Sequence, residues 1–236
     1  MKTKAIQASL LALALALLAA FAYSPAQACK KCKCQEKTGG EHGHVHLDED
    51  EGFTTILGKG HTDGWTLGPN MKFEDGMIVA GTMEEKIPQT LYAYHNKDYY
   101  NFELRAQLKA VGPEQTNGGI QIRSSVNDKG IMAGYQADMG FKYWGLVYDQ
   151  GRRNSLLTKH EDGIDLKKDI KWGDWNDYRV ICKGNVIEVY INDKLFSKHI
   201  EKDEEIAKVS GKIGLQMHSG PPSLRYYRNI RIKELD

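Results

Sequence analysis

Residues 176–200 read NDYRVICKGNVIEVYINDKLFSKHI, and their apolar side chains recur two apart. Tyr178, Val180 and Cys182 share one side of an extended chain, while Arg179, Ile181 and Lys183 share the other. Period two marks a half-buried strand. Lys183-Gly184-Asn185 and Asn192-Asp193 supply the residue types that turn a hairpin, so the stretch reads as a three-stranded meander. Cys182 falls in the core phase and is expected to be a buried, unpaired thiol. The same alternation continues outward. YNFELRAQLK sets Phe102, Leu104, Ala106 and Leu108 against Glu103, Arg105, Gln107 and Lys109, with Tyr100 in the apolar phase. FEDGMIVAG makes a hairpin through Asp75-Gly76, and KIGLQMHS and NIRIKEL are the last strands. Only EKDEEIAK suggests a helical turn or two, and EDGIDLKKD reads as loop. About twelve short strands between turn signals imply an all-β chain, a two-sheet jelly-roll β-sandwich. No internal repeat is visible, which argues against a propeller.

The N-terminus has a different character. Lys2 and Lys4 precede the apolar run SLLALALALLAAFA, and Ala26-Gln27-Ala28 is a small-x-small cleavage site. Residues 1–28 therefore read as a secretory signal, and the mature protein is expected to be secreted or periplasmic. Cys29 would be the new N-terminus, so a membrane association is expected only if that thiol is lipidated; Ala26 and Gln27 fit a lipidation site poorly. Residues 29–51, CKKCKCQEKTGGEHGHVHLDEDE, carry almost nothing apolar and read as a flexible linker. Cys29, Cys32, Cys34, His42, His44 and His46 have the composition of a zinc or copper site, but a spacer is the favoured reading because no folded knuckle surrounds them. The formal charge is +1, and removal of a leader carrying Lys2 and Lys4 makes it weakly negative. Such a chain has no electrostatic reason to seek nucleic acid. The folded domain is placed at 52–236.

Three strands carry one polar pattern. In GGIQIRSS, Gln121 and Arg123 share a face; in GYQADMG, Gln136 and Asp138 do; in GLQMHS, Gln216 and His218 do. If the strands are neighbours, a guanidinium, a carboxylate, an imidazole and three amides form one patch. A solvated sheet face usually carries Lys, Glu, Thr and Ser, so this set suggests recognition. Tyr143, Trp144 and Tyr148 offer flat rings, and Gly118, Gly119, Gly134, Gly140 and Gly145 are expected to let a ligand approach the backbone. Rings beside amides and charges suit a sugar, which stacks its CH face and hydrogen-bonds its hydroxyls. The acids Asp149 and Asp162 are read as solvated loop residues, and no metal site or cofactor is assigned.

Seven segments in order, GFTTILGKGHTDGW, NFELRAQLK, NGGIQIRS, GYQADMG, YWGLVYDQGRRN, WNDYRV and GLQMHSGPP, resemble the 3-keto-disaccharide hydrolase family, also described as 3-keto-glucoside lyase/hydratase. The resemblance spans Gly52 to Leu235 and implies a concanavalin A-like lectin/glucanase fold. The LGKGHTDGW loop departs from the family pattern at Gly60 and His61. The activity implied is cleavage of a 3-keto-glycoside: the ketone acidifies C2–H, the C1 substituent leaves by β-elimination, and water then adds. On that chemistry His218 is the expected base, Arg123 the holder of the enolate oxygen, and Asp138 an acid or rival base, with Glu103 a weaker one. Gln121, Gln136 and Gln216 would orient hydroxyls. No strand carries the Glu-x-Asp-x-x-Glu spacing of retaining glucanases of this fold. The alternative is a lectin-like module that binds an oligosaccharide without turning it over.

Overall fold

The computed structural model describes residues 51–207 and 210–236. The leader, and the linker except Glu51, lie outside the described residues. In chain order the strands are β1 (Thr54–Leu57), β2 (Trp65–Thr66), β3 (Met71–Glu74), β4 (Met77–Thr82), β5 (Leu91–Tyr99), β6 (Phe102–Val111), β7 (Gly118–Val126) and β8 (Met132–Met139). They continue as β9 (Val147–Gln150), β10 (Ser155–Leu156), β11 (Asn176–Lys183), β12 (Val186–Ile191), β13 (Lys194–Ile200), β14 (Gly211–Met217) and β15 (Ser223–Glu234). Two helices of one turn each, α1 (Leu166–Asp169) and α2 (Glu204–Ala207), lie between them. The first corrects the loop expected at EDGIDLKKD: the Asp165 side chain accepts from Lys167 N and caps the turn.

The strands form two antiparallel sheets, a jelly-roll sandwich. The first runs β13-β12-β11-β6-β15-β4-β3, with β1 paired to the far end of β15; the second runs β10-β9-β8-β7-β14-β5-β2. The meander read at 176–200 is β11-β12-β13, and its tight turns use positive φ at Gly184, Asn192 and Asp193. Asp75 and Gly76 turn β3 into β4 in the same left-handed region. Phe102, Leu104, Ala106 and Leu108 of β6, with Tyr178, Val180 and Cys182 of β11, face the second sheet's Ile120, Ile122, Ile213, Leu215 and Met217 in one apolar core. Cys182 is a buried free thiol there, and burial pushes it up to about 12. Tyr100 leaves the alternation at the β5–β6 turn and is exposed.

Asp149 corrects another expectation. It belongs to β9, is fully buried, and pairs with Arg152 at 2.6 Å and with Arg153. Arg153 also reaches Glu201 at 2.6 Å, and Tyr135 Oη donates to the same carboxylate at 2.7 Å. Backbone N–H groups of Lys202 and Asp203 at 3.0 Å, and His199 Nε2 at 3.2 Å, also meet the Glu201 carboxylate. This network ties β8 and β9 to the chain leaving β13, behind the polar face of the second sheet.

Candidate functional site

Adjacent strands β8, β7 and β14 bring the three Gln-bearing segments together. Register places Asp138 opposite Gly119, Gly119 opposite Gln216, and Gln216 opposite Tyr92. The next row sets Tyr148, Gln136, Gln121 and Gly214 side by side. Gly119, without a side chain, makes room for the Gln136 amide between Asp138 and Gln216. Above it lies a cleft of about 490 Å³ lined by Asn117, Gln136, Asp138, Tyr143, Tyr148, Gln150, Gln216 and His218, with residues 154–156 forming one wall.

The amides are organised as a network. Gln121 Nε2 donates to Gln136 Oε1, which turns the Gln136 Nε2 group toward Asp138 Oδ1 at 2.5 Å, Gln216 Oε1 at 3.2 Å and Gly118 O at 3.2 Å. Gln216 Nε2 is shared between Tyr92 Oη at 3.4 Å and Gln150 Oε1 at 3.5 Å. Gln121 is fully buried beneath the others, where Ser124 Oγ donates to its Oε1 at 3.0 Å; it supports the cleft and does not line it. Fixed amide orientations are what selective hydroxyl recognition needs.

Asp138 is 4% exposed, and among the described residues its carboxyl accepts only from the neutral Gln136 amide. Burial therefore raises its pKa to about 8, against a smaller lowering by that hydrogen bond, and it is largely protonated at neutral pH. His218 follows β14, and its Nδ1 lies 2.6 Å from Ser219 O. A carbonyl only accepts, so Nδ1 carries hydrogen, and in the tautomer this selects Nε2 is the acceptor. Arg225, buried in β15, donates to Asn117 O at 2.7 Å and His218 O at 3.2 Å, fixing two residues of the rim from below. Asn117 Oδ1 meets no donor among the described residues.

Three expected site residues lie elsewhere. A bulge between Ile122 and Ser125, with Arg123 at φ 46°, reverses the strand's alternation. The Arg123 guanidinium then runs away from the cleft to Tyr100 O at 2.6 Å, Gly184 O at 2.7 Å and Asn101 Oδ1 at 3.3 Å. It staples β7 to the β5–β6 connection between the two sheets and to the β11–β12 hairpin of the first. Glu103 sits on that first sheet and binds Arg105 at 2.8 Å. Trp144 is buried against Tyr178 and Trp172. The glycines serve the protein and not a ligand: a Cβ on Gly140 would stand 2.0 Å from Thr116 O, and one on Gly145 2.6 Å from Phe196. The LGKGHTDGW loop lines a separate edge cleft with His95 and Tyr99. Gln150 was legible, two residues beyond Tyr148 on one face. Arg225 left a weaker trace, a charge in the inward phase between Ser223 and Tyr227.

A family model described as a 3-keto-alpha-glucoside-1,2-lyase-like domain matches residues 52–233. No curated protein matches the chain. Among solved structures, a candidate glycosyl hydrolase from Parabacteroides distasonis superposes with TM-score 0.56 at 19% identity, covering 78% of this chain and 95% of that one. A Bacillus subtilis protein of unknown function with a galectin-like fold gives TM-score 0.58 at 9% identity, over 77% and 94%. Carbohydrate-binding module CBM66 from Bacillus subtilis gives 0.50 at 13%, over 78% and 96%. At these identities the likeness establishes the fold.

Proposed function

The chain belongs to the 3-keto-alpha-glucoside-1,2-lyase-like domain family, and we propose that it cleaves a glycoside whose glucosyl unit already carries a ketone at C3. The observation carrying this reading is the pairing, in one cleft, of a largely neutral Asp138 with a His218 whose Nε2 is an available acceptor. Nε2 takes the C2 proton, and the electrons move to the C3 oxygen. The enolate then collapses to a C1=C2 double bond, the C1–O bond breaks, and the aglycone oxygen takes the proton from the imidazolium. Water adds OH at C1 and H at C2, so the sum is hydrolysis. Gln136, Gln150 and Gln216 orient the ring, with Tyr143 and Tyr148 flanking it. The leader read at 1–28 supports action outside the cytoplasm.

The test is incubation of the purified protein with a 3-keto disaccharide and, separately, its unoxidised parent, with products read by mass spectrometry. Release of free sugars from the keto compound alone is expected. Saturable binding of either compound without release would replace this reading with a lectin-like one.

A further inference from the structure

An enolate needs a partner for its charge, and Arg123 was the cation expected to supply it. Its diversion leaves no Lys or Arg among the described residues that line the cleft. We infer that Asp138 itself, as an un-ionised acid, is the hydrogen-bond donor to the C3 oxygen of the substrate, in place of a cation. The inference rests on the 3-keto-glycoside reading and adds to it the group that meets the developing charge.

The geometry supports it at several points. Gln136 Nε2 occupies Oδ1 of Asp138, which leaves Oδ2 for the proton and for the cleft. Beside the carboxyl the cleft is lined by Tyr148 of β9, Tyr143 of the 3-10 turn at Phe141–Tyr143, and His218, while on the core side Tyr178 of β11 donates its Oη to the main-chain Asp138 O at 2.8 Å. That turn's one cation, Lys142, is exposed and lies over the rings of Phe141 and Tyr143. A buried carboxyl with no cation beside it keeps its proton, as burial's upward push on Asp138 indicates. A neutral acid in a water-poor site is an effective oxyanion donor. Through the elimination Asp138 shares its proton with the enolate oxygen and keeps it when the ketone is restored, so it is unchanged at the end of each cycle.

Kinetics of the wild type, Asp138→Asn and Asp138→Ala on a 3-keto disaccharide, over pH 5–10, test this. The asparagine amide keeps a donor where Oδ2 stands, so that variant is expected to retain turnover within about tenfold, whereas alanine loses roughly 10²- to 10³-fold in kcat. The wild type should lose activity as pH rises through about 8, and Asp138→Asn should lack that decline. An infrared difference spectrum, wild type minus Asp138→Asn at pH 7, should show a carboxylic acid band. Asparagine falling as low as alanine, the alkaline decline persisting in Asp138→Asn, or a carboxylate band would each overturn the inference. A wild type inert toward the keto compound would end the underlying reading as well, and is told apart by its lack of any product.

Discussion

Arg225 carries its charge into an almost closed site, where Asn117, Ser223 and His218 offer it main-chain carbonyls. Arg225→Lys keeps the charge but loses the planar fork, so one ammonium cannot span these acceptors. We expect a loss of about 2 kcal/mol in denaturant unfolding, from a carbonyl left unmet. A fall in kcat/KM should accompany it, because the rim holding His218 loosens. His218→Ala should do the reverse: turnover of a 3-keto glycoside falls roughly 10²-fold while the unfolding midpoint barely moves. Arg123→Lys separates the two kinds of arginine. It should destabilise the sandwich by about 2 kcal/mol through its lost carbonyl contacts and leave kcat/KM unchanged; an equal fall in kcat/KM would return Arg123 to the cleft. At this scale Gln136 with Asp138, and Gln216 with His218, were legible as pairs, because strand alternation puts the two members of each pair on one face of their strand. Arg123 was not, since a single residue at φ 46° shifts the parity and leaves no mark in the residue types around it.

Hairpins were the most readable elements. Asp75-Gly76, Gly184 and Asn192-Asp193 combine turn chemistry with positive φ, and the meander between β11 and β13 follows from them. Neighbour relations in the second sheet were less readable, because β14 reaches its place between β7 and β5 from far along the chain. Glycines were the misleading signal: a glycine needed by protein looks like one needed by ligand. Gly140 joins β8 to the 3-10 turn that carries Tyr143, at φ 121° with Thr116 O against the space a Cβ would take. Gly140→Ala therefore adds a strained torsion to a backbone clash. We expect it to cost on the order of 2 kcal/mol or more and to weaken ligand binding by displacing Tyr143, measured by chemical denaturation and by titration with the substrate. Unchanged stability would show that the turn re-forms freely.

On the scale of the whole molecule, the sandwich was legible because period two runs through nearly every segment, whereas the buried ionic groups were not, since burial is set by the assembled sheets. Two of those groups oppose each other. Glu201 is held below the ordinary carboxylate range by Arg153, Tyr135 and backbone N–H groups, which outweigh its burial. Its stabilisation is present above the unfolded value of about 4 and is lost as pH falls below it. Asp138 works the other way. Its folded pKa is raised to about 8, so between an unfolded value of about 4 and that folded value the native chain binds a proton that the unfolded chain has released. Stability from this group therefore falls as pH rises across that window and levels off above it. Asp138→Asn removes the slope while keeping the size and the Gln136 contact of the side chain. The variant's thermal midpoint should match the wild type near pH 4 and exceed it by at least about 5 °C at pH 8, corresponding to a few kcal/mol for a domain of this size. A more stable variant with a slower reaction is the mark of a residue kept for chemistry at the expense of stability. Parallel midpoints across pH 4–8 would mean that Asp138 ionises in the folded protein as it does in the unfolded one, and the neutral acid would be lost as a donor in the cleft.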